Sequence, residues 1–173
     1  MSSRFSSGDS SARINVAVFA AGFLTFVNMW CTQAILPVLA ASFNVSQART
    51  GLSVTAPLLA TAMMAPVVGA ISDRFGRKRF ICGAAMLLPI PALLAAQAAG
   101  FEAFVAYRFL QGLMLPFIFT VTIGYIGEET AGPVTARLAG TYTSGAIFGG
   151  FSGRLISGAV TSGLGWRASF LVI

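Results

Sequence analysis

The 173-residue chain contains no histidine and five acidic residues, and charge of both signs makes up 9% of it. A soluble domain carries about 25% charged residues, so a chain this poor in charge and 56% hydrophobic is excluded from the water-facing class. Its mean hydropathy of +0.82 points to a bilayer. Without histidine the commonest general base and metal ligand is missing, and no residues stand at metal-ligand spacing. An enzyme, a bound metal and a cofactor are therefore not expected. No phosphate loop is complete: GRKR, Gly76 to Arg79, lacks the following Ser or Thr and the glycine spacing. Cys31 and Cys82 fall in different apolar segments and read as packing residues.

Long apolar runs are what the chain has in abundance. About 20 mostly apolar residues in a helix cross the roughly 30 Å hydrocarbon core. Such helices are expected near 14–41, 51–72, 80–99, 103–125 and 135–161, with a sixth, over 166–173, too short to span. A polar, Ser-rich tail over 1–13 precedes this transmembrane domain over 14–173. The turn-rich boundaries SFNVSQART, AAGFE, GEETAGP and TSGLG leave only short connections, so successive helices run antiparallel. The expected fold is all-α and integral to the membrane.

Counting bases by loop sets the orientation. With the N-terminus inside, the cytoplasmic side holds Arg4, Arg13, Arg74, Arg77, Lys78, Arg79 and Arg137, against Arg49 and Arg167 outside. A cytoplasmic N-terminus follows. The net charge of +6 is scattered among apolar runs, which favours anionic lipid headgroups over nucleic acid as the counter-charge.

The densest charge lies in GAISDRFGRKRF, Gly69 to Phe80, between the second and third helices. A plain basic anchor would explain its arginines but not Asp73, which is costly at a membrane helix end without a partner. Gly69, four residues before Asp73, leaves room for a neighbouring helix, and Gly76 permits a tight turn. Gly69, Asp73, Arg74, Gly76, Arg77 and Lys78 resemble the G-x-x-x-D-R-x-G-R-[RK] loop of the major facilitator superfamily, at the topological position where that family carries it. The resemblance implies a cytoplasmic gate in which Asp73 and Arg77 meet a helix of the other half of the carrier, with Gly69 as the packing contact.

Arg108 stands five residues into the fourth helix, where a buried arginine costs about 2.5 to 3.5 kcal/mol on insertion scales. It either has a function or snorkels to the nearby interface. Arg108, Gln111 and Gly112 resemble the family's R-x-x-Q-G signature, whose arginine is associated with substrate or proton coupling. In the fifth helix Gly145, Gly149 and Gly153 form overlapping G-x-x-x-G steps, a surface for close helix contact. GAIFGG, which includes Gly150, is similar to the family's antiporter motif, except that Ala146 stands where that motif has proline. Arg154 follows at an expected depth close to that of Arg108. The two would suit an anionic group, or would need carboxylates from elsewhere. Thr25, Asn28 and Thr32 make a polar stripe on the first helix that either lines a cavity or bonds neighbouring helices. Trp30 and Gln33 are further candidate substrate contacts. QAILP in the first helix faintly echoes QGLMLP in the fourth, the pair that an inverted three-plus-three repeat would superpose.

The resemblance covers 14–173 and implies the N-terminal six-helix half of a bacterial efflux-type permease. It would reside in the inner membrane, exporting a small molecule such as an amphipathic drug or a sugar-like metabolite in exchange for protons. The helices hold no carboxylate, so a coupling proton would need an end carboxylate such as Glu102, or the other half. The expected partners are a missing C-terminal half or a second copy of the chain. A half-length membrane protein without transport of its own is the alternative.

Overall fold

Residues 7–75 and 77–173 are described in a computed structural model, without the side chains of 7–10, 70, 72–75, 77–80 and 129. All their regular structure is helical: α1 (Ser7–Trp30), a 3-10 turn (Gln33–Ile35), α2 (Leu36–Phe43), α3 (Gln47–Thr50), α4 (Leu52–Phe75), α5 (Arg77–Leu87), α6 (Pro89–Ala96), α7 (Phe101–Glu129), α8 (Pro133–Leu164) and α9 (Trp166–Val172).

Two of the expected helices are broken. The first gives way at Cys31 and Thr32 to the 3-10 turn, and Pro37 denies the Gln33 carbonyl its usual N–H donor. The third is interrupted at Leu88 by Pro89 and Pro91. By contrast α8 runs unbroken for 32 residues through Ala146. The stretches Ser11–Phe43, Gln47–Gly69 and Phe101–Glu128 are long and apolar enough to cross a membrane, with Ile81–Ala96 a shorter apolar helix. In α8 the glycines, hydroxyls and Arg154 dilute the hydropathy; length alone would let it span.

Chain reversals fall where the backbone needs unusual torsions. Asn44 caps α2 in the left-handed region (φ 52°), and Gly132 (φ 57°) and Gly165 (φ 84°) bracket α8. The most extensive helix contacts join α1 to α8 and α4 to α7. These are the pairs that an inverted repeat exchanges, first with fifth and fourth with second.

Two apolar clusters fill the interior. One gathers Leu115, Ile118, Leu138 and Tyr142 among α1, α7 and α8. The other places Phe43, Phe104, Trp166 and Phe170 in contact, with ring centroids 5.2 to 5.7 Å apart in four pairings. Arg167 ties this end together by donating to Ala96 O (2.7 Å) at the end of α6 and to Ala98 O (2.9 Å) just past it. Arg49 pairs with Glu102 on the surface, an exposed contact worth about 0 to 1 kcal/mol. Leucines, methionines and phenylalanines face outward, among them Met63, Met86, Phe148, Phe151 and Leu155, each more than half exposed. A surface so apolar suits lipid or another membrane segment.

Candidate functional site

Arg108 is fully enclosed, with no exposed area. It does not snorkel. Its guanidinium offers five N–H donors, and each finds oxygen: Nε donates to Ser53 O (3.3 Å), Nη1 to Asn28 O (3.0 Å) and Gln111 Oε1, and Nη2 to Met29 O (3.1 Å) and Thr32 Oγ1 (3.5 Å). Gln111 in turn donates through Nε2 to Asn28 Oδ1 at 2.6 Å. None of these partners is a carboxylate.

The acceptors exist because local sequence frees them. Ser53 O would normally receive the N–H of residue 57, but Pro57 has none. Asn28 O and Met29 O lie in the last turn of α1, where the helix stops and its final carbonyls lose their partners. That end also carries the negative pole of the helix dipole, and α1 has no basic residue of its own there. Arg108 supplies the charge from α7. A third carbonyl at the break, Cys31 O, accepts from Ser157 Oγ of α8. Four helices thus meet at one point.

The stripe on α1 is consumed in the same way. Thr25, Asn28 and Thr32 are all buried. Thr25 donates to Ala21 O (2.8 Å), Asn28 Nδ2 to Leu24 O (2.9 Å), and Thr32 receives Arg108. Of the two cysteines, Cys31 is buried, its thiol donating to Asn28 O. Cys82 is exposed, which corrects its reading as a packing residue: it faces outward from α5. Gln33 is exposed in the 3-10 turn and takes no part in the network.

A second interlock lies one turn further along α4 and α7. Gly112 meets Pro57 so closely that a Cβ there would fall under 3.0 Å from the Pro57 backbone. Pro116 leaves Gly112 O without its helical donor, and Thr61 Oγ1 reaches it at 3.0 Å. Sequence reasoning passed over Ser53, Thr61 and Ser157; Pro57 and Pro116 were the signal for the first two.

Where α1 meets α8, Gly145, Gly149 and Gly153 lie against Phe19 O, Phe23 O and Val27 O in register. A Cβ on Gly153 would stand 2.6 Å from Val27 O. On the α1 side, a Cβ on Gly22 would meet Tyr142 O at 2.5 Å. Gly150 instead faces the Trp30 indole, and Arg154 lies exposed with its guanidinium 5.2 Å from that ring. Both arginines therefore reach the last turn of α1, but only Arg108 is enclosed.

Asp73 and Arg74 occupy the end of α4, and Arg77 and Lys78 open α5. Their side chains, and Gly76 altogether, lie outside the described residues. Among the described residues nothing lies within 4 Å of a Cβ built on Gly69.

Residues 18–173 match the Major Facilitator Superfamily family model. The chain is 36% identical over 120 residues to "Inner membrane transport protein YnfM" of Escherichia coli K12, a match covering 68% of this chain and 28% of that protein. To "Uncharacterized MFS-type transporter YybF" of Bacillus subtilis 168 it is 33% identical over 119 residues, 68% and 29% of the two chains. To "Protein spinster homolog 1" of Xenopus laevis it is 25% identical over 121 residues, 70% and 20%. The matches span less than a third of these relatives' lengths. With nearly the whole helical bundle inside the family match, this integral membrane chain belongs to the Major Facilitator Superfamily.

Proposed function

We propose that the chain is the N-terminal bundle, 14–173, of a secondary active transporter that exports a small molecule in exchange for protons. It works by alternating access, rocking against a second six-helix unit that is either a C-terminal half or a second copy. The carrying observation is the enclosure of Arg108, which welds α1, α4 and α7 into one body with every donor satisfied. A rocking half must move as a unit, and a charge locked by backbone carbonyls inside the bundle resists internal slippage.

In this reading Asn28, Arg108 and Gln111 couple the break in α1 to α7, and Arg154 and Gln33 face the substrate pathway. The loop of Gly69, Asp73, Arg74, Gly76, Arg77 and Lys78 forms the cytoplasmic gate, with the N-terminus on the same side. The membrane is the bacterial inner membrane, the compartment printed in the name of the Escherichia coli relative.

Everted inner-membrane vesicles from producing cells test this, with a pH-gradient dye and a panel of amphipathic cations, aromatic acids and pentoses. At least one probe should collapse an imposed gradient, and Asp73→Asn should abolish that response while leaving the inserted amount unchanged. Inserted protein with no response to any probe would instead favour a membrane protein without transport of its own.

A further inference from the structure

We infer that the groove between α1 and α8 binds the carboxylate of an aromatic organic anion, an assignment that rests on the transport reading and names its cargo class. The groove is open to one side, offers about 590 Å³ and is lined by Phe26, Trp30, Tyr142, Gly150, Phe151 and Arg154. That volume holds a small aromatic molecule.

Arg154 supplies the recognition. Its guanidinium carbon lies 5.2 Å from the centroid of the Trp30 ring, a cation–π contact that occupies none of its hydrogen-bond donors with an acceptor atom. None of its five donors meets an acceptor among the described residues, in contrast to Arg108, whose donors are all taken. Nor does a carboxylate approach it among the described residues. Glu102 is paired with Arg49, and Glu128 lies at the opposite end of α7 from Arg108. A carboxylate matches this planar fork of unengaged N–H donors with two parallel hydrogen bonds, strengthened by the low dielectric of the membrane.

The rest of the groove selects what is attached to that carboxylate. Phe26, Phe151 and Trp30 present ring surfaces, and Gly150, lacking a Cβ, leaves the floor beside the indole open. An aromatic body with one acidic group fits both halves of this lining. A cation would face Arg154 directly, and a sugar would lack a counter-charge for it.

Trp30 is a built-in reporter, because the only other tryptophan is Trp166. Purified protein in mild detergent, both unaltered and as Trp166→Phe, would be titrated with para-bromobenzoate, whose heavy atom quenches indole emission. The neutral para-bromobenzyl alcohol and the cationic para-bromobenzylamine serve as isosteres. The bromobenzoate should quench saturably, the isosteres only in linear collisional fashion, and Arg154→Gln should weaken the saturable phase by about tenfold or more. Equal quenching by acid and alcohol, no saturation, or an affinity indifferent to Arg154→Gln would each overturn the assignment. A carboxylate from another membrane segment already seated on Arg154 would appear as absence of saturation. The isostere comparison needs no variant and stands even if Arg154→Gln fails to fold. Failure here, with vesicle transport of a cation or pentose intact, would remove the cargo class alone; saturable binding without any vesicle response would remove the transport reading alone.

Discussion

The two principal helix pairs solve one problem by opposite means. Where α1 meets α8, side chains are removed: Gly22, Gly145, Gly149 and Gly153 let backbone touch backbone. Where α4 meets α7, N–H groups are removed: Pro57 and Pro116 orphan the carbonyls of Ser53 and Gly112, and Arg108 and Thr61 answer them. Lipid gives apolar helices little reason to associate, so contact must come from close approach or from polar bonds. The glycine pair uses the first, and the proline pair adds the second to its own close approach at Gly112. Each pair also carries an arginine, enclosed in the polar joint and exposed beside the glycine joint.

Removing Arg108 should break the polar joint with the largest effect. Arg108→Met leaves Ser53 O and Met29 O without donors in a dry interior and Asn28 O with the Cys31 thiol alone, a loss of about 3 to 5 kcal/mol. Arg108→Lys keeps the charge but offers three donors from one atom instead of five on a planar fork, and should recover less than half of it. Thermal unfolding followed by labelling of buried Cys31, in a Cys82→Ser background, gives the comparison. A Lys variant equal to the native protein would show that charge alone matters and that the fan of carbonyl contacts does not.

The glycine joint should respond to a single methyl group. Gly149→Ala places a Cβ under 3.0 Å from Phe23 backbone atoms, which cannot rotate away. Separation of the helices should cost about 1 to 3 kcal/mol, read in the same unfolding assay.

Thr61→Val sharpens the contrast at the other pair. It preserves shape and removes one hydroxyl donor, leaving Gly112 O unanswered. A loss of about 1 kcal/mol is expected. No loss would mean that Gly112 and Pro57 hold the helices by contact alone, making the two joints alike.

How far these joints were legible depended on whether a side chain or a carbonyl did the work. The G-x-x-x-G register and Arg108 could be read directly, since glycine spacing and a charge in an apolar run are sequence patterns. The partners of Arg108 could not, because Asn28 O, Met29 O and Ser53 O belong to backbone that every residue has. Only the prolines, by deleting a donor four residues on, mark such carbonyls in a sequence. The similar depth expected for Arg108 and Arg154 likewise said nothing of their enclosure, which depends on the side of α1 each reaches. The gate loop was legible as a motif, but its side chains lie outside the described residues.

The smallest effect tests that last distinction with the same methyl group, one residue along. Gly150→Ala puts its Cβ 3.3 Å from the Trp30 ring, not against backbone. The indole borders an open groove and has room to give by a few tenths of an ångström. Stability should therefore change by no more than about 0.5 kcal/mol, while displacement of the ring beneath Arg154 shifts Trp30 emission. Since Gly149→Ala and Gly150→Ala carry the same helix-propensity change, their difference isolates what each methyl meets. Equal destabilisation would mean that the groove is as rigid as the joint beside it, and therefore poorly suited to admit a ligand between Trp30 and Arg154.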